Sequence, residues 1–210
     1  MNTELLSPDE PPLVAAQQAA IARLRDAIRR GGLAVLCGPA GSGKTMLLAR
    51  LASEQAAVAG RPCGPFPLRQ LVEEPDHRPQ RVALIDDAHA ALDAAELRRV
   101  VDRLERHAES TAIVLAGEGR LLTLLARQPD LEQRVRLRAV VRAWSESETL
   151  SLLTAALPAV MDRGEGPQLA SRIHELAAGI PRQVVRLIDT VGMVLAAEPG
   201  HDLSVDDLET

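Results

Sequence analysis

From residue 14 to about residue 143 two apolar patterns take turns along the chain. The first is the three- and four-residue spacing of a helix with one buried face, and the second is a short unbroken apolar run closed by glycines or acids. The Ala-rich segment Val14 to Arg30 sets Ile21, Leu24 and Ile28 on one face and Arg23, Arg25, Arg29 and Arg30 outward, and Gly31-Gly32 stops it. The run Leu33 to Cys37 follows, then a helical pattern from Lys44 to about Ala57, closed by Gly60. Val82 to Ile85 is a second run, ending in Asp86-Asp87-Ala88-His89, and Asp93 to Ala108 is helical with Leu97, Val100, Val101 and Leu104 on one side. A third run, Ala112 to Ala116, ends at Gly117-Glu118-Gly119; a helix from Leu121 to Arg127, a break at Pro129 and the basic stretch Arg134 to Arg138 lead to a last strand, Ala139 to Val141. Runs without polar alternation are buried on both faces, as strands of a parallel sheet covered by helices are.

After Trp144 the strands cease. Ser145-Glu146-Ser147-Glu148 is a helix-start signature, with serine as cap and glutamate three residues on. Helices to Leu157, from Gln168 to Ala178 and from Arg182 to Ala197 make an all-helical lobe, with Gly179-Ile180-Pro181 between the last two. Two stretches read differently. Residues 1 to 12 are polar and carry Pro8, Pro11 and Pro12, the mark of a flexible arm, and residues 61 to 80 carry five prolines, so only Leu68 to Glu74 can be regular there. The expected organisation is an arm (1–12), an α/β domain built on a parallel sheet flanked by helices (13–143), and a small helical lid (144–210).

Composition narrows the class without changing this picture. An apolar fraction of 46% and a charged fraction of 25% suit a soluble globular chain, and no stretch reaches the roughly 18 uninterrupted apolar residues that a membrane span needs. The start Met1-Asn2-Thr3-Glu4 lacks the basic, apolar profile of a signal peptide, which makes the cytoplasm the expected location, with attachment to the inner membrane only through a partner. Cys37 and Cys63 are too far apart for a CxxC site. A net charge of −5 argues against a surface that embraces nucleic acid as a whole, though DNA on a local basic face stays open. Phe66 and Trp144 are the chain's sole aromatics, too few for a platform on which bases stack.

The chemistry concentrates between the first strand and the helix after it. Gly38-Pro39-Ala40-Gly41-Ser42-Gly43-Lys44-Thr45 fits G-x-x-x-x-G-K-[ST] at every fixed position. Glycines at 38, 41 and 43 let successive N–H groups turn inward around a phosphate chain, and the following helix, entered through Met46, adds the positive end of its dipole. Lys44 is placed to reach the β- and γ-phosphates of a nucleoside triphosphate, and the Thr45 hydroxyl to hold Mg²⁺. A serine-nucleophile elbow around Ser42 fails, because it needs glycine where Ala40 stands. In a parallel sheet the ligand sits outside the carboxyl ends of the strands, so Asp86 is expected to converge on the loop and position Mg²⁺, with Asp87 polarising the attacking water. Arg134 and Arg182 are candidates to neutralise charge on the transferred phosphoryl group, against the general tendency of arginines to be merely solvated.

Taken together, these elements resemble the AAA+ ATPases, and among them the general-secretion and type IV pilus ATPases of the ExeA type, over residues 14 to 208. Leu36 to Thr45 looks like the family's Walker A, Val82 to His89 its Walker B, and Ile113 to Glu118 its sensor 1 strand. Leu131 to Val135 is similar to the segment with the arginine finger, Gly179-Ile180-Pro181-Arg182 matches sensor 2, and Asp202 to Leu208 resembles the close of the lid. The resemblance implies ATP and Mg²⁺ as ligands and ATP hydrolysis as the activity. It also implies a homo-oligomer with the site at the subunit interface, where Arg134 reaches a neighbour's γ-phosphate, while Arg182 touches the nucleotide in cis. It points to a motor that assembles or remodels a secretion, pilus or envelope machine; an ATP-switched DNA-binding or transposition-type regulator and a degenerate ATP-binding scaffold are the alternatives. Three departures from the family pattern carry expectations of their own. Asp87 stands where glutamate is usual and is one methylene shorter, which implies slow hydrolysis. Glu118 stands at the usual polar sensor 1 position facing the nucleotide. Lys44 and Asp86 are separated by 41 residues, which implies a shortened edge strand and helix.

Overall fold

The computed structural model describes residues 13–59, 64–74, 81–106, 112–162, 164 and 166–197. The arm, Gly60, the two ends of the proline-rich stretch (61–63, with Cys63, and 75–80) and Asp202 to Leu208 lie outside them. Five strands form one sheet: β1 (Gly32–Cys37), β2 (Phe66–Pro67), β3 (Val82–Asp86), β4 (Ala112–Gly117) and β5 (Val135–Val140). They lie in the order β2-β3-β4-β1-β5, with every neighbouring pair parallel. The central register runs from Gly32 opposite Ala112 to Cys37 opposite Gly117, so the three apolar runs end level at one edge of the sheet.

Side chains that alternate along each strand feed two separate cores. Leu33, Val35, Ile85, Ile113 and Leu115 face α3 (Leu68–Glu73), α4 (Ala94–Arg106), α5 (Gly119–Ala126) and α6 (Pro129–Arg134). Ala34, Leu36, Leu84 and Val114 face α1 (Ala15–Arg30) and α2 (Lys44–Ala59), meeting Ile21, Leu24, Leu47, Leu48 and Leu51. Burial on both faces explains why these strands read as unbroken apolar runs. The expected shortening holds: β2 has two residues and α3 six.

Two sequence expectations need correction. The last strand does not span Ala139 to Val141 but Val135–Val140, so it takes in most of the basic stretch. It is an edge strand, in which Val135, Leu137 and Ala139 turn inward while Arg136, Arg138 and Val140 are exposed, and this alternation with arginines masked it. Pro129 falls at the expected break after α5, but a helix that the sequence did not predict, α6, begins there. The proline opens α6 at its first turn, where a missing N–H costs nothing.

Beyond Val141 come α7 (Glu146–Ala156), α8 (Pro158–Asp162), α9 (Gly166–Ala177) and α10 (Pro181–Ala197), gathered around Trp144, Leu153, Ile173, Val184, Ile188 and Val191. Ser145 caps α7 as its sequence foretells: its Oγ accepts the Glu148 N–H at 3.3 Å and its own N–H donates to Glu148 Oε2 at 2.8 Å. Val14, at the entrance to α1, packs on this helical core and joins it to the sheet.

Candidate functional site

The loop from Gly38 to Thr45 leaves the carboxyl end of β1 and enters α2. Gly38 is buried, and a Cβ there would stand 2.6 Å from the Val141 carbonyl oxygen. Gly41 and Gly43 have φ of +75° and +93°, and a Cβ at Gly43 would lie 2.9 Å from Gln17 Nε2. The space a side chain would occupy is therefore already taken, and the loop keeps an open concave backbone. Lys44 is 7% exposed and donates from Nζ to the Gly38 and Pro39 carbonyls, each at 2.9 Å, which ties the ammonium to the loop it serves. Thr45 is exposed. Ser42 Oγ is buried with no hydrogen-bond partner among the described residues.

Asp86 ends β3 and is 7% exposed; its Oδ1 accepts the Asp87 N–H at 2.9 Å. β4 lies between β3 and β1, and because all three are parallel, the acid and the loop share one edge. Asp87 sits in the left-handed region (φ 51°, ψ 32°) with an exposed carboxylate. Glu118 follows β4 on the same edge, and His89 stands between the two acids, 4.0 Å from Asp87 Oδ1 and 3.9 Å from Glu118 Oε1. Cys37, beneath the loop, is buried: burial pushes its thiol up and the Glu118 carboxylate adds to this, which the Lys44 ammonium and the Gly38 N–H offset only in part.

The helical part closes the other side. Arg182 donates its backbone N–H to the Gly41 carbonyl at 3.1 Å, and its Cβ lies 3.2 Å from where a Gly41 Cβ would be. Trp144 donates its N–H to the Gly179 carbonyl at 2.7 Å. Between the two parts lies a cleft of about 710 Å³. Its walls bring together Ala40, Gly41, Gly43, Lys44, Thr45, Met46, Asp87 and Glu118 from the sheet side with Trp144, Leu152, Pro181, Arg182 and Val185 from the helices.

Arg134 is elsewhere. It ends α6 immediately before Val135, which pairs with Leu33 at the amino end of β1, about 15 Å along the strands from the loop. Its guanidinium pairs with Asp102 at 2.8 Å and Glu105 at 3.4 Å. Gln17, His89 and Trp144 are cleft or near-cleft residues that motif reasoning passes over. Gln17 did carry a signal: it is polar, yet it lies on the α1 stripe that Ile21, Leu24 and Ile28 bury.

No protein-family model and no curated protein matches the sequence. Solved structures do. Domain III of the Thermotoga maritima replication initiation protein DnaA superposes with a TM-score of 0.62 at 14% identity, over 97% of this chain and 95% of that one. The Thermotoga maritima RuvB Holliday junction branch migration motor gives 0.61 at 21% identity over 92% of this chain, which spans about two thirds (66%) of the RuvB chain. The Aeropyrum pernix ORC2 protein, solved in ADPNP-ADP complexes, gives 0.58 at 14% over 96% of this chain and 68% of that one. The fold is thus the one these structures share: a five-stranded parallel sheet flanked by helices, with a phosphate loop at one edge and a C-terminal helical region. None of these three is a secretion or pilus ATPase. Among the described residues no helix is long and apolar enough to cross a membrane.

Proposed function

We propose that this chain binds MgATP in the cleft and hydrolyses it. The observation that carries the reading is the Gly38–Thr45 loop, with buried Lys44 laid along it and Arg182 seated against Gly41 from across the cleft. The residues present suit the ligand. Backbone N–H groups, the orphaned Ser42 Oγ and Lys44 offer donors to a triphosphate, while Thr45 and Asp86 offer the hydroxyl and carboxylate that Mg²⁺ takes alongside water. Thr45 and Asp86 would hold Mg²⁺ there, and the ion would supply positive charge beside the phosphates. Asp87 is the base that orients water, with Glu118 and His89 beside it, and Arg182 contacts the phosphates in cis. Lys44→Ala lowers ATP affinity roughly 10- to 100-fold in calorimetry; unchanged affinity overturns the reading.

Arg134 acts, in this reading, on a neighbouring subunit, because its own loop is at the opposite end of the strands. That makes the working form a homo-oligomer with the site at the interface. For the work driven, the sequence likeness names a secretion, pilus or envelope machine. The fold likeness is to a replication initiation protein and a Holliday junction branch migration motor, and an ATP-switched DNA-binding or transposition-type regulator is the alternative. Salt-dependent DNA binding that appears only with ATP selects the second; nucleotide binding without phosphate release, under all partners tried, selects a scaffold.

A further inference from the structure

Gln17 is 2% exposed, yet it lines the cleft. One end of its amide is committed: Oε1 accepts the Val14 N–H at 3.3 Å, closing the first turn of α1. The commitment fixes the other end. Nε2 lies over Gly43, within 2.9 Å of where a Cβ would stand, and among the described residues it has no acceptor. This free donor is held where the phosphate loop gives way to the apolar end of the cleft, walled by Met46, Ala49, Trp144, Leu152 and Val185. A flat, largely apolar ring fits that end, and it is met at its edge by a single oriented N–H donor.

We propose that Gln17 reads the base, donating from Nε2 to a ring nitrogen of a purine. The inference rests on the cleft being a nucleoside triphosphate site and deepens that reading. A purine carries an acceptor nitrogen, N7, in its five-membered ring on the edge turned toward the phosphates, where a pyrimidine presents the C5–H. A donor held close to the phosphate end therefore favours ATP and GTP over CTP and UTP, and with Oε1 already occupied it does not separate the two purines.

Calorimetry of the full chain with the four Mg-nucleoside triphosphates and with Mg-tripolyphosphate tests this, with Trp144 fluorescence as a second readout. The parent is expected to prefer purines about tenfold, the worth of one hydrogen bond to a neutral group. Gln17→Met removes both ends of the amide and should erase the preference while leaving tripolyphosphate affinity within twofold. Gln17→Glu keeps an acceptor for the Val14 N–H and loses the donor, so it too should lose the preference. A purine preference that survives in Gln17→Glu makes Gln17 a helix cap and overturns the proposal. So does a fall in tripolyphosphate affinity as large as the fall for ATP in Gln17→Met, which adds no charge beside the loop. A parent that binds tripolyphosphate without purine preference overturns the assignment of Gln17 alone; a parent that binds none of these ligands overturns the nucleotide reading with it.

Discussion

Asp87 is where the residue scale is most exposed to test, because backbone and charge make separate demands there. Its left-handed φ of 51° is a conformation that Asp and Asn adopt with little strain and that alanine adopts at a cost of about 1 kcal/mol. Asp87→Asn therefore removes the carboxylate and keeps the turn. If Asp87 holds the attacking water, phosphate release falls at least about 10²-fold while the melting temperature stays put. Asp87→Ala should lose the same rate and some stability as well. Equal rates for the parent and Asp87→Asn would reassign the base, with Glu118 the next carboxylate on that edge. This residue was legible in the sequence because a strand end followed by two acids has few other uses beside a phosphate loop. His89, two positions on, was not, because its place between Asp87 and Glu118 is set by β3 and β4 lying side by side, which no local pattern reports.

At the scale of elements, Glu148 joins α7 to α1 and to the segment that follows β5. Its carboxylate accepts from Ser145 N–H at 2.8 Å, from Arg142 Nη1 at 2.9 Å and Nη2 at 3.2 Å, and from Ala16 N–H at 3.3 Å, so it caps α7 and, across space, adds an acceptor at the start of α1 beside the one Gln17 gives Val14. Burial pushes this acid up, but the Ser145 N–H, the Arg142 guanidinium and the Ala16 N–H together outweigh burial and hold it below its ordinary value. A carboxyl lowered on folding stabilises the protein above its unfolded pKa, and that contribution is lost as pH falls through the folded value. Glu148→Gln should thus cost about 2 kcal/mol at pH 7, roughly 4–8 °C in melting temperature, and the gap to the parent should close as pH drops below the ordinary glutamate range. A gap that is constant with pH would mean that shape alone matters at this position. The Ser145 to Glu148 box could be read from four residues; its hold on Ala16, 132 positions away, could not. The same division runs through the fold. Strands buried on both faces and the phosphate loop were plain, because each has a composition that little else tolerates. β5 was misread because a half-exposed edge lets Arg136 and Arg138 stand where an interior strand would need apolar residues.

For the molecule as a whole the open question is whether the site is complete within one chain. Parallel strands put Gly38–Thr45 and Arg134 at opposite ends of the sheet, so no rotamer of Arg134 reaches its own loop, and a role for it at the phosphates requires a second copy of the chain. Against this stands its pairing with Asp102 and Glu105, which by itself would make Arg134 a strut between α6 and α4. Mixing two silent variants separates the roles. Lys44→Ala has a damaged loop and an intact Arg134, while Arg134→Ala has the reverse, and each alone should release phosphate at a small fraction of the parental rate. In a head-to-tail assembly formed from equal amounts, about one quarter of the interfaces pair a sound loop with a sound arginine, and activity should return to about that level. Mass measurement with and without ATP checks that mixed assemblies form. If they form and activity stays at the sum of the two variants, Arg134 does not act across the interface. If instead Arg134→Ala alone keeps the parental rate and only melts earlier, the arginine is a strut, and the charge on the transferred phosphoryl group is left to Lys44 and Arg182.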